Sequence, residues 1–222
     1  MTETQPRSNP FRGKYLFHVH TRATDGRLCV RDYFDCAERS GVDQVIFLEH
    51  IRKQASYDVA SWVAEIQGCA LTSGVRASVG FEAKLLANGT LDISEEHLAL
   101  AEVIGMAEHG FPNGPECLES AFLRAINFYP SVFSNKFFVW VHPGLSLQKR
   151  GVTPHLSSVH LSMLDRAQEA GVLIEHNLRY GLVGEELLRR IATDKLVVGA
   201  DAHSLQDLQM WRAAHTPRQV AI

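Results

Sequence analysis

The chain has no long apolar run: none of its segments approaches the roughly 20 consecutive apolar residues that a membrane-spanning helix requires. Its first residues, "MTETQPRSNPFRG", also lack the apolar core of a signal peptide. We therefore expect a cytoplasmic protein without a membrane-spanning segment. We further expect residues 1–13 to be flexible and residues 14–222 to form a single domain, because no internal repeat, low-complexity tract or linker interrupts them.

The sequence also lacks an excess of basic residues. It contains 22 lysines and arginines against 25 aspartates and glutamates, which gives a net charge of -3. Such a chain presents no general positive field to a polyanion, so extended nucleic-acid binding is not expected and small substrates are. The hydrophobic content of 45% is enough for a sizeable core. These numbers leave the oligomeric state open.

Cysteine is scarce and has no metal-binding spacing. The four residues Cys29, Cys36, Cys69 and Cys117 form no CxxC pair. This scatter excludes a zinc ribbon and argues against a disulfide framework. We expect four reduced cysteines that are mostly buried.

What the chain does contain is an alternation of apolar strands and amphipathic helices. Strands are predicted in "KYLFHVH", "QVIFLEH", "RASVGFEAKLL", "LALAEVIGMAEHG", "KFFVWVHPG", "VLIEHN" and "LVVGADAH". Helices are predicted in "VRDYFDCAERSG", "SYDVASWVAEIQGCA", "GPECLESAFLRAINFY", "HLSSVHLSMLDRAQEAG" and "GEELLRRIATD". Continuous apolar strands separated by helices favour a parallel sheet buried on both faces, and seven such units favour closure into a (β/α) barrel.

The first strand ends in two histidines one residue apart. Because side chains alternate between the faces of a strand, His18 and His20 should share a face with Leu16, while Phe17 and Val19 point the other way. Two neighbouring imidazoles can chelate one metal ion. By itself this pair is equally consistent with two polar residues at the end of a strand.

The other predicted strands end in the same residue types. Their last residues are "HVH", "LEH", "FE", "AEH", "VHP", "EHN" and "ADAH". In a barrel, the carboxyl ends of all strands lie on one face, so residues far apart in sequence meet there. The recurrence of histidine and carboxylate at these ends predicts a metal site on that face.

These motifs, taken in order, resemble the polymerase and histidinol phosphatase (PHP) family of metal-dependent phosphoesterases. The resemblance extends from Tyr15 to about Ser204 and rests on "HVHTRATDG", "FLEH", "GFE", "AEHG", "VHPG", "IEHN" and "GADAHS". The segment "FLEH" departs from the family, which more often has threonine, aspartate and histidine there. The resemblance implies a distorted (β/α)7 barrel of the PHP type whose metal site lies at the carboxyl ends of the strands. It also implies up to three ions and nine ligands: His18, His20, Asp25, His50, Glu82, His109, His142, Asp201 and His203.

The family's usual pattern divides these ligands among three ions. His18, His20 and Asp201 belong to the first ion, His109 and His142 to the second, and Asp25, His50 and His203 to the third. Glu82 ends an apolar strand, and its two carboxylate oxygens could bridge two cations, as in two-metal hydrolysis. We place Glu82, Asp201 and His203 at the catalytic centre, where a water shared by the metals is the expected nucleophile.

Four cationic residues lie within a few positions of the strand ends. Arg22, Arg52, Lys53 and Arg179 are therefore predicted to bind the substrate's phosphate, for which a guanidinium offers a bidentate fit. At the end of "VLIEHN", Glu175 and Asn177 share a face and are expected to orient ligands, while His176 points toward the helices.

The predicted function is hydrolysis of a small phosphomonoester by a metal-dependent phosphoesterase. Two or three divalent ions are expected, and mixed nitrogen and oxygen ligation suits Zn2+, Mn2+ or Fe2+ better than Mg2+ or Ca2+. One alternative is a phosphodiesterase or nuclease. A second is an amidohydrolase-type C–N hydrolase, which also begins with HxH; many such enzymes bridge two metals with a modified lysine at a central strand end, where this chain has Glu82. A third is a catalytically inactive, metal-stabilised module.

Overall fold

The computed structural model describes residue 11 and residues 13–215. The segment predicted to be flexible, residues 1–13, lies outside the described residues apart from Phe11 and Gly13. Within the described part of the chain, no helix is both long enough and apolar enough to cross a membrane.

Two parallel sheets form the centre of the fold. The strands are β1 Tyr15–Val19, β2 Gln44–Phe47, β3 Glu49–Ile51, β4 Arg76–Ser78, β5 Gly80–Lys84, β6 Val103–Ala107, β7 Phe137–Val141, β8 Leu173–Asn177 and β9 Leu196–Gly199. The smaller sheet has the order β1-β2-β4 and the larger one β3-β5-β6-β7-β8-β9. Parallel pairing follows from the helical connections between successive strands.

The two sheets together make seven β-units. Only Leu48 separates β2 from β3, and only Val79 separates β4 from β5. The last strand returns to the first, because the backbone N–H of Ala200 donates to the carbonyl of Phe17 at 2.8 Å and that of His20 to Ala202 at 2.9 Å. The predicted distorted seven-unit α/β barrel is therefore confirmed, with two of the seven predicted strands interrupted by one residue.

The described residues contain eight helices, seven of which lie between strands. Five of the eight match predicted segments; the three missed helices are Glu95–Leu100 and Leu145–Gln148, which are short, and Leu205–His215, which is terminal. The helix Val59–Ser73 begins where the Asp58 side chain accepts a hydrogen bond from the backbone N–H of Ser61 at 3.0 Å. The helices are α1 Val30–Ser40, α2 Val59–Ser73, α3 Glu95–Leu100, α4 Pro115–Val132, α5 Leu145–Gln148, α6 Ser158–Glu169, α7 Glu185–Arg190 and α8 Leu205–His215, and Pro154–Leu156 and Thr193–Lys195 are single 3-10 turns.

The core has an inner and an outer part. The inner cluster consists mainly of strand residues such as Phe17, Ile46 and Val139, with Leu48 between β2 and β3, whereas the larger outer cluster packs strands against helices. The interior is narrow: a Cβ on Gly105 would lie 2.6 Å from a methyl carbon of Leu48. Side chains therefore fill the barrel, and the space for a ligand lies beyond the carboxyl ends of the strands.

Candidate metal centre

All nine predicted ligands converge at the carboxyl ends of the strands. They come from six strands or the loops that follow them, and most of them are buried even though every one is ionisable. Such burial of imidazoles and carboxylates together requires mutual compensation of charge or a bound cation. The residues are His18 and His20 at the end of β1, Asp25 in the loop after β1, His50 in β3, Glu82 in β5, His109 after β6, His142 after β7, and Asp201 and His203 after β9.

Glu82 lies at the centre of this group, and its side chain is only 2% exposed. Its two oxygens face different histidines, three on one side and two on the other. This division places the carboxylate between two sets of nitrogen ligands. Oε2 lies 3.2 Å from His18 Nε2, 3.4 Å from His20 Nε2 and 3.5 Å from His50 Nδ1, and Oε1 lies 3.3 Å from His142 Nε2 and 3.5 Å from His109 Nδ1.

Three groups of side chains are compact enough to hold a metal ion, since the donor atoms in each lie within 4.8 Å of one another. Their composition is close to the predicted division, with three differences. His18 belongs to two groups, His20 joins the third, and His109 belongs to none of them. The groups are His18, His20 and Asp201; His18, Glu82 and His142; and His20, Asp25, His50 and His203. His109 approaches the second group through Glu82 and through the ring of His142, 4.9 Å away.

The backbone at three of these ligands has an unusual conformation. Within the described residues, His18, His142 and Asp201 are the non-glycine residues with positive φ, at 66°, 33° and 47°. Only a few per cent of non-glycine residues adopt this region, and they concentrate at functional sites. Here the conformation turns each side chain toward the common cavity at the point where its strand ends.

The prediction that His18 shares a face with Leu16 is wrong. Leu16 packs in the outer core, whereas Phe17 belongs to the inner cluster. The register between β1 and β2 shifts between Phe17 and Val19, and the positive φ at His18 breaks the alternation there. His18 and His20 nevertheless lie side by side as expected, with ring centroids 4.9 Å apart.

A fully buried carboxylate, Glu175, holds three strand ends together. Its Oε1 lies 2.6 Å from His18 Nδ1, and its Oε2 accepts the backbone N–H of His142 at 2.6 Å and the amide of Asn177 at 3.1 Å. Asn177 also donates to Asp201 at 3.1 Å. Gly199 makes room for this arrangement, since a Cβ there would lie 1.7 Å from the Glu175 carboxylate. The geometry agrees with the orienting role expected of Glu175 and Asn177.

Two further buried glutamates, for which no role is predicted from the sequence, support the site. Glu49 accepts the backbone N–H of Thr21 at 2.7 Å and lies 3.6 Å from His20 Nδ1. Glu108 accepts the backbone N–H of Gly144 at 2.7 Å, and burial raises the pKa of its carboxyl to about 7. A signal for both was present, because each precedes a predicted histidine ligand in the endings "LEH" and "AEH".

The charges of the site suit a divalent cation. Burial acts to raise the pKa of the Glu82 carboxyl, but the facing imidazoles, His142 first among them, hold it well below its usual range. Burial likewise acts to lower the pKa of His18, yet Glu175 and Asp201 raise it well above normal. The carboxylates thus stabilise positive charge at the position of the imidazoles, which is the charge that a metal ion would supply.

Unsatisfied ligand atoms provide a second test of this fit. Among the described residues, buried nitrogens without a hydrogen-bond partner include Nε2 of His20, Nδ1 of His50 and Nδ1 of His109. All three face Glu82 at 3.4 to 3.5 Å. Buried polar atoms are rarely left unpaired, and a cation between these nitrogens and the carboxylate would pair them. The donor set therefore fits metal binding.

A cavity of about 370 Å³ opens above the metal-type ligands. Of the four cations predicted to bind phosphate, only Arg179 lines it. Two cations to which the sequence analysis gave no role, Arg27 and Lys149, line it as well, together with the ring of Tyr180. Arg179 donates to the Asp201 carbonyl at 3.2 Å and contacts His203 Nδ1.

The other three predicted cations are not brought to the cavity. The Arg22 guanidinium donates to the Arg27 carbonyl at 2.8 Å and lines a different pocket, near Trp62. Arg52 donates to its neighbouring Ile51 carbonyl at 2.6 Å and approaches Asp92 to 3.6 Å. Lys53 is exposed, and its backbone N–H donates to Asp92. Their position near strand ends in sequence was misleading, because the loops turn these side chains outward.

We expect the purified protein to contain two or three transition-metal ions per chain by elemental analysis, since nine candidate ligands converge. Removing them with a chelator should lower the melting temperature and abolish any hydrolytic activity, because a ligand that binds only the folded state stabilises it. Adding Zn2+ or Mn2+ should restore both. Less than one ion per chain, with no binding on addition, would contradict the metal site.

Comparisons with known proteins identify the fold. No protein-family model matches the chain, and no curated protein matches it in sequence. Among solved structures, a candidate histidinol phosphatase, HisK, of Listeria monocytogenes is similar with a TM-score of 0.62 at 16% identity, over 91% of this chain and 100% of that one. A two-domain protein of Bacteroides vulgatus that contains a predicted PHP-like metal-dependent phosphoesterase is similar with a TM-score of 0.52 at 20% identity, over 86% of this chain and 52% of that one. The chain has the fold of these structures.

Proposed function

We propose that this chain is a PHP-type metal-dependent phosphoesterase that hydrolyses a small phosphate monoester. The observation that supports this most strongly is the placement of Glu82, a buried carboxylate with both oxygens facing imidazole nitrogens. A carboxylate in this position can bridge two cations, and paired cations are a recurring solution for phosphoester hydrolysis. The fold, shared with two structures described as phosphatase or phosphoesterase, agrees with the proposal.

The proposed ligands are the nine residues named from the sequence, with Glu175, Glu49 and Glu108 orienting them. When bound, divalent ions would lower the pKa of a water and neutralise charge on the phosphoryl oxygens. Glu175 fixes the orientation of His18 through its Nδ1, so that Nε2 points at Glu82. Arg179 contacts Asp201 and His203 and lines the cavity, and in this proposal it donates to a phosphoryl oxygen.

A small substrate suits a cavity of about 370 Å³, which is near the lower end of the usual range for small-molecule pockets. The ligand set suits Zn2+, Mn2+ or Fe2+, and Asp25, His50 and His203, with His20 beside them, would hold a third ion. We propose a cytoplasmic enzyme that does not bind extended nucleic acid.

The decisive experiment is a substrate screen with Mn2+-loaded and Zn2+-loaded protein and a chelated sample as the blank. The panel should include phosphomonoesters, phosphodiesters, short oligonucleotides and simple amides. Metal-dependent release of inorganic phosphate from monoesters is the expected result. Turnover of diesters or amides without monoesters would replace the proposal with one of the alternatives, and turnover of none of them by metal-loaded protein would overturn it.

Replacing Arg179 by Ala should reduce kcat/KM for a phosphomonoester by about ten- to a hundredfold, since a charge-assisted contact of about 1.5–3 kcal/mol is lost. Arg179→Lys should give an intermediate value because lysine keeps the charge but not the planar fork. Arg52→Ala is the matched control, since its guanidinium faces Asp92 outside the cavity. Steady-state kinetics at equal metal content measure the effect, and equal values for Arg179→Ala and wild type would remove Arg179 from substrate binding.

A further inference from the structure

The cavity is larger than a phosphate group needs. Its floor consists of the metal-type ligands, and its wall is formed by the loops after β1, β7 and β8. A substrate whose phosphate reaches the floor would therefore place its organic part against that wall. The residues there, rather than the ligands, would select among phosphate esters.

The wall is cationic. Lys149 follows helix α5 after β7, Arg179 follows β8, and Arg27 lies in the loop after β1. In the barrel, β7, β8, β9 and β1 follow one another, so these three residues lie on the same side of the rim, with Asp201 and His203 of the β9 sector between Arg179 and Arg27. The opposite sectors, after β3, β5 and β6, contribute the ligands His50, Glu82 and His109 instead.

Two of these three cations have no anionic partner in the described part of the chain. The ion pairs of arginine and lysine side chains there involve Arg52, Arg166, Arg179, Arg189, Arg190 and Lys195. Neither Arg27 nor Lys149 is among them, and both are exposed. The carboxylates that line the cavity are Asp25, Glu82 and Asp201, which all belong to the metal-type clusters.

Arg179 is placed differently from the other two. It contacts His203 and lies 3.9 Å from Asp201, so it is close to the position of the scissile phosphate. Once the phosphate is compensated by Arg179 and the bound ions, Arg27 and Lys149 still face the cavity without a partner. An anionic group on the organic part of the substrate would provide one.

We infer that the substrate has a second anionic group, a carboxylate or a phosphate, which Lys149 and Arg27 bind while the scissile phosphate lies over the metal site. This inference rests on the proposed phosphoesterase function and narrows its substrate class to phosphate esters with two separate anionic groups. Lys149 and Arg27 determine specificity, and neither touches the reacting atoms.

The test uses three aryl phosphates that differ only in the group opposite the ester. They are 4-carbamoylphenyl phosphate, which is neutral there, 4-carboxyphenyl phosphate and 1,4-phenylene bisphosphate. The released phosphate gives kcat/KM for each, corrected for the two equivalent esters of the bisphosphate. For the metal-loaded wild type we expect kcat/KM to be roughly tenfold higher for at least one anionic probe than for the amide. The anionic probe whose kcat/KM exceeds that of the amide by the larger factor identifies the group as a carboxylate or a phosphate.

The double variant Lys149→Met, Arg27→Met should bring this ratio close to one. Lys195→Met is the control, because Lys195 precedes β9 at the opposite end of the barrel, and the ratio should remain that of the wild type. Hydrolysis of all three probes with equal kcat/KM would overturn the inference and leave the phosphoesterase proposal intact. A wild-type preference that survives in the double variant would also overturn it. Absence of hydrolysis of any phosphate ester would instead overturn the proposed function.

Discussion

Replacing Glu82 by Gln is expected to reduce kcat/KM by orders of magnitude while the fold persists. Glutamine has the same shape, but it lacks the negative charge that faces five imidazole nitrogens within 3.5 Å. One of its two terminal atoms would also be an N–H donor, which cannot bind a cation. Kinetics with saturating metal, elemental analysis and circular dichroism would measure activity, metal content and folding separately.

Glu102→Gln is the matched control for this substitution. Glu102 lies directly before β6, at the amino ends of the strands, where its carboxylate accepts a hydrogen bond from Ser78. The same chemical change there should leave metal content and turnover near the wild-type values. If Glu82→Gln retained near-normal turnover, the carboxylate could not be the bridging ligand, and the site would have to be organised around another group.

Glu175→Ala is expected to weaken metal binding by about ten- to a hundredfold, the usual effect of losing a residue that orients metal ligands. Its carboxylate faces His18 Nδ1 and accepts hydrogen bonds from the backbone of His142 and from Asn177. Alanine would leave these buried groups unpaired, at a cost in unfolding free energy of about 1–3 kcal/mol for each. Metal titrations followed by activity, and denaturant unfolding of the metal-free protein, would report the two effects.

Glu175→Gln separates orientation from simple disruption. The amide oxygen can still accept the His142 N–H, while the amide nitrogen cannot replace the carboxylate beside His18. We expect stability close to that of the wild type, together with a metal affinity between those of the wild type and Glu175→Ala. Glu185→Ala, which removes an exposed glutamate paired with Arg189, is the control for both measurements. Metal titrations of Glu175→Ala that superimpose on the wild type would show that Glu175 is not a positioning residue.

The sequence predicts the barrel and its metal-type face well, because the alternation of apolar strands with amphipathic helices and the repeated histidine and carboxylate strand endings are both strong signals. Apolar strands followed by amphipathic helices fix the parallel sheet, and the carboxyl ends of parallel strands must then share one face. Glu82 illustrates this, since along β5 it alternates with Phe81 and Ala83, which lie in the outer core. For such residues, the periodicity of the strand is sufficient to predict the direction of the side chain.

The sequence predicts less where the backbone departs from alternation or where a loop determines direction. His18 and His142 reach the site only through positive φ angles, which no pattern of apolar residues encodes. Arg52 and Lys149 show the same limit in loops: Arg52 is near a strand end in sequence and turns away, while Lys149 lies seven positions after His142 and faces the cavity. Local spacing gave no basis for distinguishing them.

The positive φ angles at His18, His142 and Asp201 set a limit on engineering this protein for heat resistance. Each non-glycine residue held in a sparsely populated backbone region lowers the free energy of unfolding by about 1–3 kcal/mol. The three positions together therefore lower it by an amount that is large beside the total stability of a typical domain. Selection for thermostability alone would favour glycine at all three and so remove three candidate metal ligands. Engineering of more thermostable variants therefore has to leave these three residues unchanged and introduce stabilising substitutions elsewhere in the chain.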